Sequence, residues 1–114
     1  MKKTIISLFA TSMMLGTATF AVADQIEGNW KTQSGETAKI GKCGSSFCIT
    51  LKTGKYAGQR IGKMKASGGK YTGTVTDPAD NKTYSGSASV AGSNMKLTGC
   101  ALKVFCKTQK WKKL

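Results

Sequence analysis

The chain has 114 residues, enough for one small domain, and contains no histidine, which counts against histidine-based catalysis and against most zinc sites. Eighteen basic residues against five acidic ones give +13 at pH 7. Such a charge favours anionic partners, or simply a soluble, self-repelling surface.

Met1-Lys2-Lys3 opens the chain, Ile5 to Phe20 is mostly apolar, and Ala21-Val22-Ala23 places small residues before Asp24. This is the three-part layout of a secretory signal peptide over residues 1–23, cut after Ala23, and its lysine-led start points to bacterial export. A retained anchor is disfavoured, because a stable span needs about 20 strongly apolar residues. The first cysteine is Cys43, so no lipid attachment is expected at the cut. A periplasmic or secreted product of residues 24–114 follows, with no transmembrane segment after cleavage. Loss of Lys2 and Lys3 leaves sixteen basic residues against five acidic, a charge of +11.

From Asp24 the pattern has period two. Ile26, Gly28 and Trp30 share one face, and Asn29 and Lys31 share the other. A turn over Gln33-Ser34-Gly35-Glu36 leads to a strand with Ala38 and Ile40 inward. Cys43 to Cys48 then forms a tight loop, followed by Phe47, Ile49 and Leu51 on one face of a half-buried strand. Thr53 to Gly69 is rich in glycine and reads as a loop, a short strand near Arg60 to Met64, and a turn at Ser67-Gly68-Gly69. Tyr71, Gly73 and Val75 alternate with threonines up to the Asp77-Pro78-Ala79-Asp80-Asn81 turn, which holds the only proline. Tyr84, Gly86, Ala88 and Val90 face inward next, then Met95, Leu97 and Gly99 after a hairpin. The Cys100–Cys106 loop leads to Phe105, Lys107, Gln109 and Trp111 on one face. No stretch after the leader has helical period. The expected fold is all-β: a small up-and-down antiparallel barrel of about eight strands.

A domain this small buries only roughly 60–65% of its unfolded surface, so covalent staples are expected. Four cysteines allow three connectivities. The two short loops make Cys43–Cys48 and Cys100–Cys106 the expected pairs in an oxidising compartment. Neither spacing suits a metal knuckle or a redox pair.

Several separated stretches resemble known families. Gly28-Asn29-Trp30 resembles the Gly-x-Trp signature of lipocalin and avidin-like barrels. That resemblance implies that Trp30 packs across the closed end against a basic residue of the last strand, with Lys110 or Lys112 beside Trp111 in that part. Gly28 to Thr32, Ala38-Lys39-Ile40 with Cys43 and Cys48, Asp77-Pro78 with Asn81 to Gly86, Leu97 to Cys100 and Phe105 to Trp111 together resemble a bacterial family of exported proteins, domain of unknown function 2147. The resemblance implies a lipocalin-like barrel outside the cytoplasm and carries no agreed activity. Ile49, Asn81 and Lys112-Lys113 depart from the family's usual glycine, glycine and arginine, and the chain is short between Leu51 and Tyr71.

No residue is expected to be catalytic and no cofactor or metal is implied. Asp77 and Asp80 stand in a turn, where aspartate bonds its own backbone, and the serines have no base partner. The leading expectation is a non-catalytic barrel holding a small apolar or amphipathic ligand, with Trp30, Tyr71, Tyr84, Phe105 and Trp111 as lining residues. Gly73, Gly86, Ala88 and Gly99 on the inward faces are expected to leave it room. The alternative is a basic edge of Lys103, Lys107, Lys110, Lys112 and Lys113. It would bind envelope polyanions (lipopolysaccharide, acidic polysaccharide or nucleic acid) without specific nucleic-acid recognition, or serve as a protein-interaction module.

Overall fold

The computed structural model describes residues 24–102 and 104–114; the expected leader and Lys103 lie outside the described residues. The described chain forms eight strands: β1 (Gly28–Lys31), β2 (Thr37–Cys43), β3 (Ser46–Leu51), β4 (Arg60–Ser67), β5 (Lys70–Asp77), β6 (Lys82–Ala91), β7 (Asn94–Ala101) and β8 (Phe105–Lys113). Every strand pairs antiparallel with the next, and β8 returns to β1, closing an up-and-down barrel. No helix among the described residues is long and apolar enough to cross a membrane.

The alternation read from the sequence is the alternation of the barrel wall. Ile26, Trp30, Ala38, Ile40, Phe47, Ile49, Leu51, Met64, Tyr71, Ala88, Met95, Leu97 and Trp111 form one buried core. Most of the intervening lysines, serines and threonines face solvent, as a sheet wetted on one side requires; Ser46 of β3 is the exception and is buried. The glycine-rich region differs from expectation in extent: the strand predicted near Arg60 to Met64 runs on to Ser67. A bulge between Ile49 and Thr50 shifts the β3–β4 register. A bulge bends the strand and increases its twist, which suits a tight barrel corner.

Glycine on the inward face has a packing reason rather than a space-making one. A Cβ on Gly73 would land on the Lys63 carbonyl of the neighbouring strand. A Cβ on Gly86 would come within 3.0 Å of the Met64 methyl and 3.1 Å of Val75. These positions are filled by neighbours, which corrects the expectation that Gly73, Gly86 and Ala88 leave room for a ligand. Of the four small residues, Gly99 alone lines the barrel's larger cavity, and even there a Cβ would come within 3.0 Å of Val75.

The segment Asp24 to Glu27 packs over one end of the barrel. Glu27 N–H donates to the Asp24 carbonyl across a tight turn. Trp30 is fully buried, and its indole Nε1–H donates to the Ile26 carbonyl at 2.9 Å. Lys113 lies over the Trp30 ring, its ammonium 5.4 Å from the ring centre, and its Nζ donates to the Gln25 carbonyl at 3.1 Å. The basic residue of the last strand is therefore Lys113. Lys110 and Lys112 face outward, because residues of opposite parity to Lys113 point to the other side of the strand.

Both expected disulfides are present. Cys43–Cys48 joins β2 to β3 with 5.8 Å between Cα atoms, and Cys100–Cys106 joins β7 to β8 with 4.0 Å.

Two stability outcomes follow from this packing. Replacing Trp30 by Ala should cost about 3–5 kcal/mol, whereas Lys113→Ala, which removes an exposed cation–π contact and one hydrogen bond, should cost about 1 kcal/mol. Urea unfolding followed by circular dichroism measures both. An equal cost for the two would show that the lysine contributes as much as the indole to holding the end. Replacing either cysteine pair by serine should cost about 2 kcal/mol in the loop-entropy model. Comparing each Ser–Ser variant with the oxidised protein tests this.

Candidate functional site: a cavity opening beside the last strand

The barrel closes unevenly. β1 meets β8 through only two residue pairs, Trp30↔Lys113 and Lys31↔Lys112. After Lys31 the chain turns away into Thr32–Glu36, so Phe105 to Lys110 of β8 has β7 on one side and no strand on the other. A single side chain bridges part of this gap, where the Lys110 backbone N–H donates to Gln33 Oε1 at 2.9 Å. The inward residues Lys107 and Gln109 are consequently exposed, although the same parity at Trp111 is buried.

Behind this gap lies a cavity of about 720 Å³. Its deep wall is apolar, from Ile49, Leu51, Ile61, Val75, Leu97 and Trp111. The Trp111 indole is fixed by a 3.0 Å hydrogen bond from its Nε1–H to Gln109 Oε1. Around the mouth the lining becomes polar. Thr32, Ser34 and Glu36 contribute from the β1–β2 turn, Tyr56 from the β3–β4 loop, and Thr76 and Asp77 from the end of β5. Lys107 is the sole cation among the described residues that line it.

Local hydrogen bonding fixes this rim. In the β1–β2 turn Ser34 Oγ donates to Glu36 Oε1 at 2.6 Å, and Glu36 N–H donates to Thr32 Oγ1 at 3.1 Å. The β3–β4 loop is tied to the end of β3 by Gly58 N–H to the Leu51 carbonyl at 2.7 Å and Leu51 N–H to the Gln59 carbonyl at 3.0 Å. Those two bonds set Tyr56 at the mouth. At the β5–β6 turn Asp77 Oδ1 accepts from Ala79 N–H, and Asp80 Oδ1 accepts from Lys82 N–H. Both aspartates thus bond their own backbone, as the turn sequence implies. No group of three or more histidine, cysteine, aspartate or glutamate side chains placed to hold a metal ion occurs among the described residues.

Three of the five ligand-lining residues named from the sequence, Tyr84, Phe105 and Trp111, border the cavity. The other two lie elsewhere. Trp30 is sealed under Ile26 and Lys113. Tyr71 packs edge-on against Phe47, with ring centres 5.7 Å apart. The sequence reading missed Glu36, Tyr56 and Gln109 as lining residues. Their signal was weak, since two sit in turns and Gln109 borders space only because β8 lacks a neighbour. The lysines named as a basic edge do not form one surface. Lys107 faces the cavity and Lys113 covers Trp30, whereas Lys110 and Lys112 face outward; Lys103 lies outside the described residues.

The β7–β8 hairpin overhangs the mouth with its apolar side chains bare. Leu102, Val104 and Phe105 are 84%, 71% and 70% exposed, and the latter two line the cavity. The Cys100–Cys106 bond holds the base of this hairpin together, and two disulfides in so small a chain suit an oxidising compartment rather than the cytoplasm.

No curated protein and no solved structure is significantly similar to the chain. A family model does match, over residues 51–113, from the end of β3 to the last residue of β8. The opening strand and first cysteine loop lie outside this match, and more than half of the chain lies within it. The chain belongs to the family described as uncharacterized protein conserved in bacteria, domain of unknown function 2147.

Proposed function

We propose that this protein is an exported, non-catalytic barrel of the bacterial periplasm or exterior that binds one small amphipathic molecule in its cavity. The cavity beside β8 carries the reading. Its volume of about 720 Å³ falls in the range of small-molecule sites, which span roughly 300–1,000 Å³. An apolar wall around Trp111 suits a hydrocarbon or aromatic body, which would gain roughly 25 cal/mol for each Å² removed from water. A mouth carrying Lys107, Tyr56 and the Thr32–Ser34–Glu36 group suits a polar or anionic end. Absence of catalysis is supported by the state of the acids. Asp77, Asp80 and Glu36 each accept a local hydrogen bond that builds a turn.

The test uses 11-(dansylamino)undecanoic acid, a fluorescent probe with an apolar chain and a carboxylate. The expected result is saturable binding, seen as brighter dansyl emission and quenched tryptophan emission. Ala101→Trp, which fills the mouth from a half-buried lining position, should weaken binding by about tenfold or more, a loss of about 1.4 kcal/mol. Lys107→Gln should weaken it less, and moderate salt should change it little, because an apolar site is poorly screened. Equal binding by wild type and Ala101→Trp, with both shown to be folded by circular dichroism, would place the probe outside the cavity and overturn the proposal.

A further inference from the structure

A shallow groove lies on the opposite side of the wall from the cavity. The five acidic side chains among the described residues occupy turns and a strand end. Asp24 and Glu27 lie in the first turn, Glu36 in the β1–β2 turn, Asp77 at the end of β5 and Asp80 in the next turn. The outward rows of the sheet therefore hold lysine and hydroxyl groups with no acid among them.

Strand register brings the densest of these rows together on β5 to β8. Thr72, Ser87, Thr98 and Thr108 lie side by side across the four strands. The next row holds Ser89, Lys96 and Lys110. Lys70, Ser87, Ser89, Lys96, Thr98, Thr108 and Lys110 surround a shallow groove of about 340 Å³ with no carboxylate in its lining. Lys96 and Lys110 stand directly opposite each other, an arrangement that costs stability through like-charge repulsion. A bound anion turns that cost into attraction.

The hydroxyls beneath are also suited to an anion. Thr98 Oγ1 and Thr108 Oγ1 are hydrogen-bonded at 2.9 Å. One of the two must donate to the other, so the acceptor's own proton remains to be offered outward, polarised by the bond it receives. Ser89 and Ser87 add rotatable donors at the groove's other margin.

From this arrangement we infer that the groove binds a tetrahedral oxyanion of the phosphate class, seated between the Lys96 and Lys110 ammonium groups. Lys70 contributes a third charge, and the Thr98–Thr108 pair and Ser89 supply hydroxyl donors. Lysine binds phosphate as a point charge with three mobile donors, which suits a groove without the planar fork of arginine. The site stands apart from the cavity and does not rest on the ligand-binding reading. A free phosphate and the phosphate of an anionic lipid headgroup present the same chemistry to it.

The test is a titration with inorganic pyrophosphate at constant ionic strength, followed by backbone amide NMR. Saturable shifts should map to Ser87, Ser89, Lys96, Thr98, Thr108 and Lys110. The double variant Lys96→Gln/Lys110→Gln should lose about tenfold or more in affinity, a loss of about 1.4 kcal/mol. The surface control Lys39→Gln/Lys63→Gln should bind as wild type does. Both pairs are exposed, so neither exchange threatens the fold. Flotation with phosphatidylglycerol vesicles separates the sources. Loss of vesicle binding in the Lys96/Lys110 variant marks a lipid headgroup; unchanged vesicle behaviour with lost pyrophosphate binding marks a free phosphate. Shifts spread equally over Lys31, Lys39, Lys63 and Lys65, a double variant that binds like wild type, or no saturation by about 1 mM, where binding is worth only about 4 kcal/mol, would each overturn the site.

Discussion

Closure of this barrel rests on two residue pairs, Trp30↔Lys113 and Lys31↔Lys112. A sheet of eight short strands needs that seam, because an open sheet leaves two edges ready to pair with other chains. The seam is short because β1 has four residues where β8 has nine. What it lacks in ladder it recovers in packing. The fully buried Trp30 bonds to the Ile26 carbonyl, and Lys113 ties the last strand to Gln25 and to the ring face. The backbone adds one more bond, from Leu114 N–H to the Asn29 carbonyl at 2.9 Å. Gln25 to Trp30 and the last two residues of the sequence are thus held at a single corner.

The cavity is the consequence of the same short seam. From Phe105 to Lys110 no strand pairs with the outer side of β8, so inward side chains there face space instead of a neighbour. Gln33 occupies part of the gap with a side-chain amide that stands in for a strand. The Cys100–Cys106 bond then has a clear mechanical role. It fixes to β7 the part of β8 that lacks a second neighbour, and a strand with one free side frays more readily than one paired on both. The apolar floor is shared with the core, since Ile49, Leu51, Leu97 and Trp111 belong to both. Binding space and folding core are therefore two ends of one interior.

The strand order, the inward faces and both disulfides were legible in the sequence because each rests on a local rule. Period-two alternation marks Phe47, Ile49 and Leu51 as one face wherever the strand lies. A cysteine pair five or six residues apart brackets its own hairpin. The misreadings concern what stands opposite a residue, which alternation does not encode. Gly73 looked like a gap and is a close approach of β4, whose Lys63 carbonyl occupies the place of a side chain. Lys113 rather than Lys110 or Lys112 covers Trp30, because register across the seam decides it. Tyr71 and Trp30 have the parity of lining residues but sit at levels of the barrel that neighbours fill. Glu36 and Tyr56 enter the site through loop conformations that no periodicity predicts.

The distribution of charge answers a hazard created by the open side. β8 presents unpaired backbone toward the gap, and such an edge is a template for another copy of the chain. Lysine is a residue that natural edges use against this, and the unpaired stretch of β8 carries Lys107 and Lys110. Two β8 edges meeting across a twofold axis would bring these charges together, since β8 itself carries no acidic side chain. The same arrangement has a cost. A chain so far from neutrality repels itself within the folded state, and a core this small has little in reserve. Two disulfides and a buried indole at the seam offset that repulsion. High charge on the strands, acids confined to turns, and covalent staples at two hairpins are thus linked answers to one problem: how a barrel with a gap in its wall stays folded and separate.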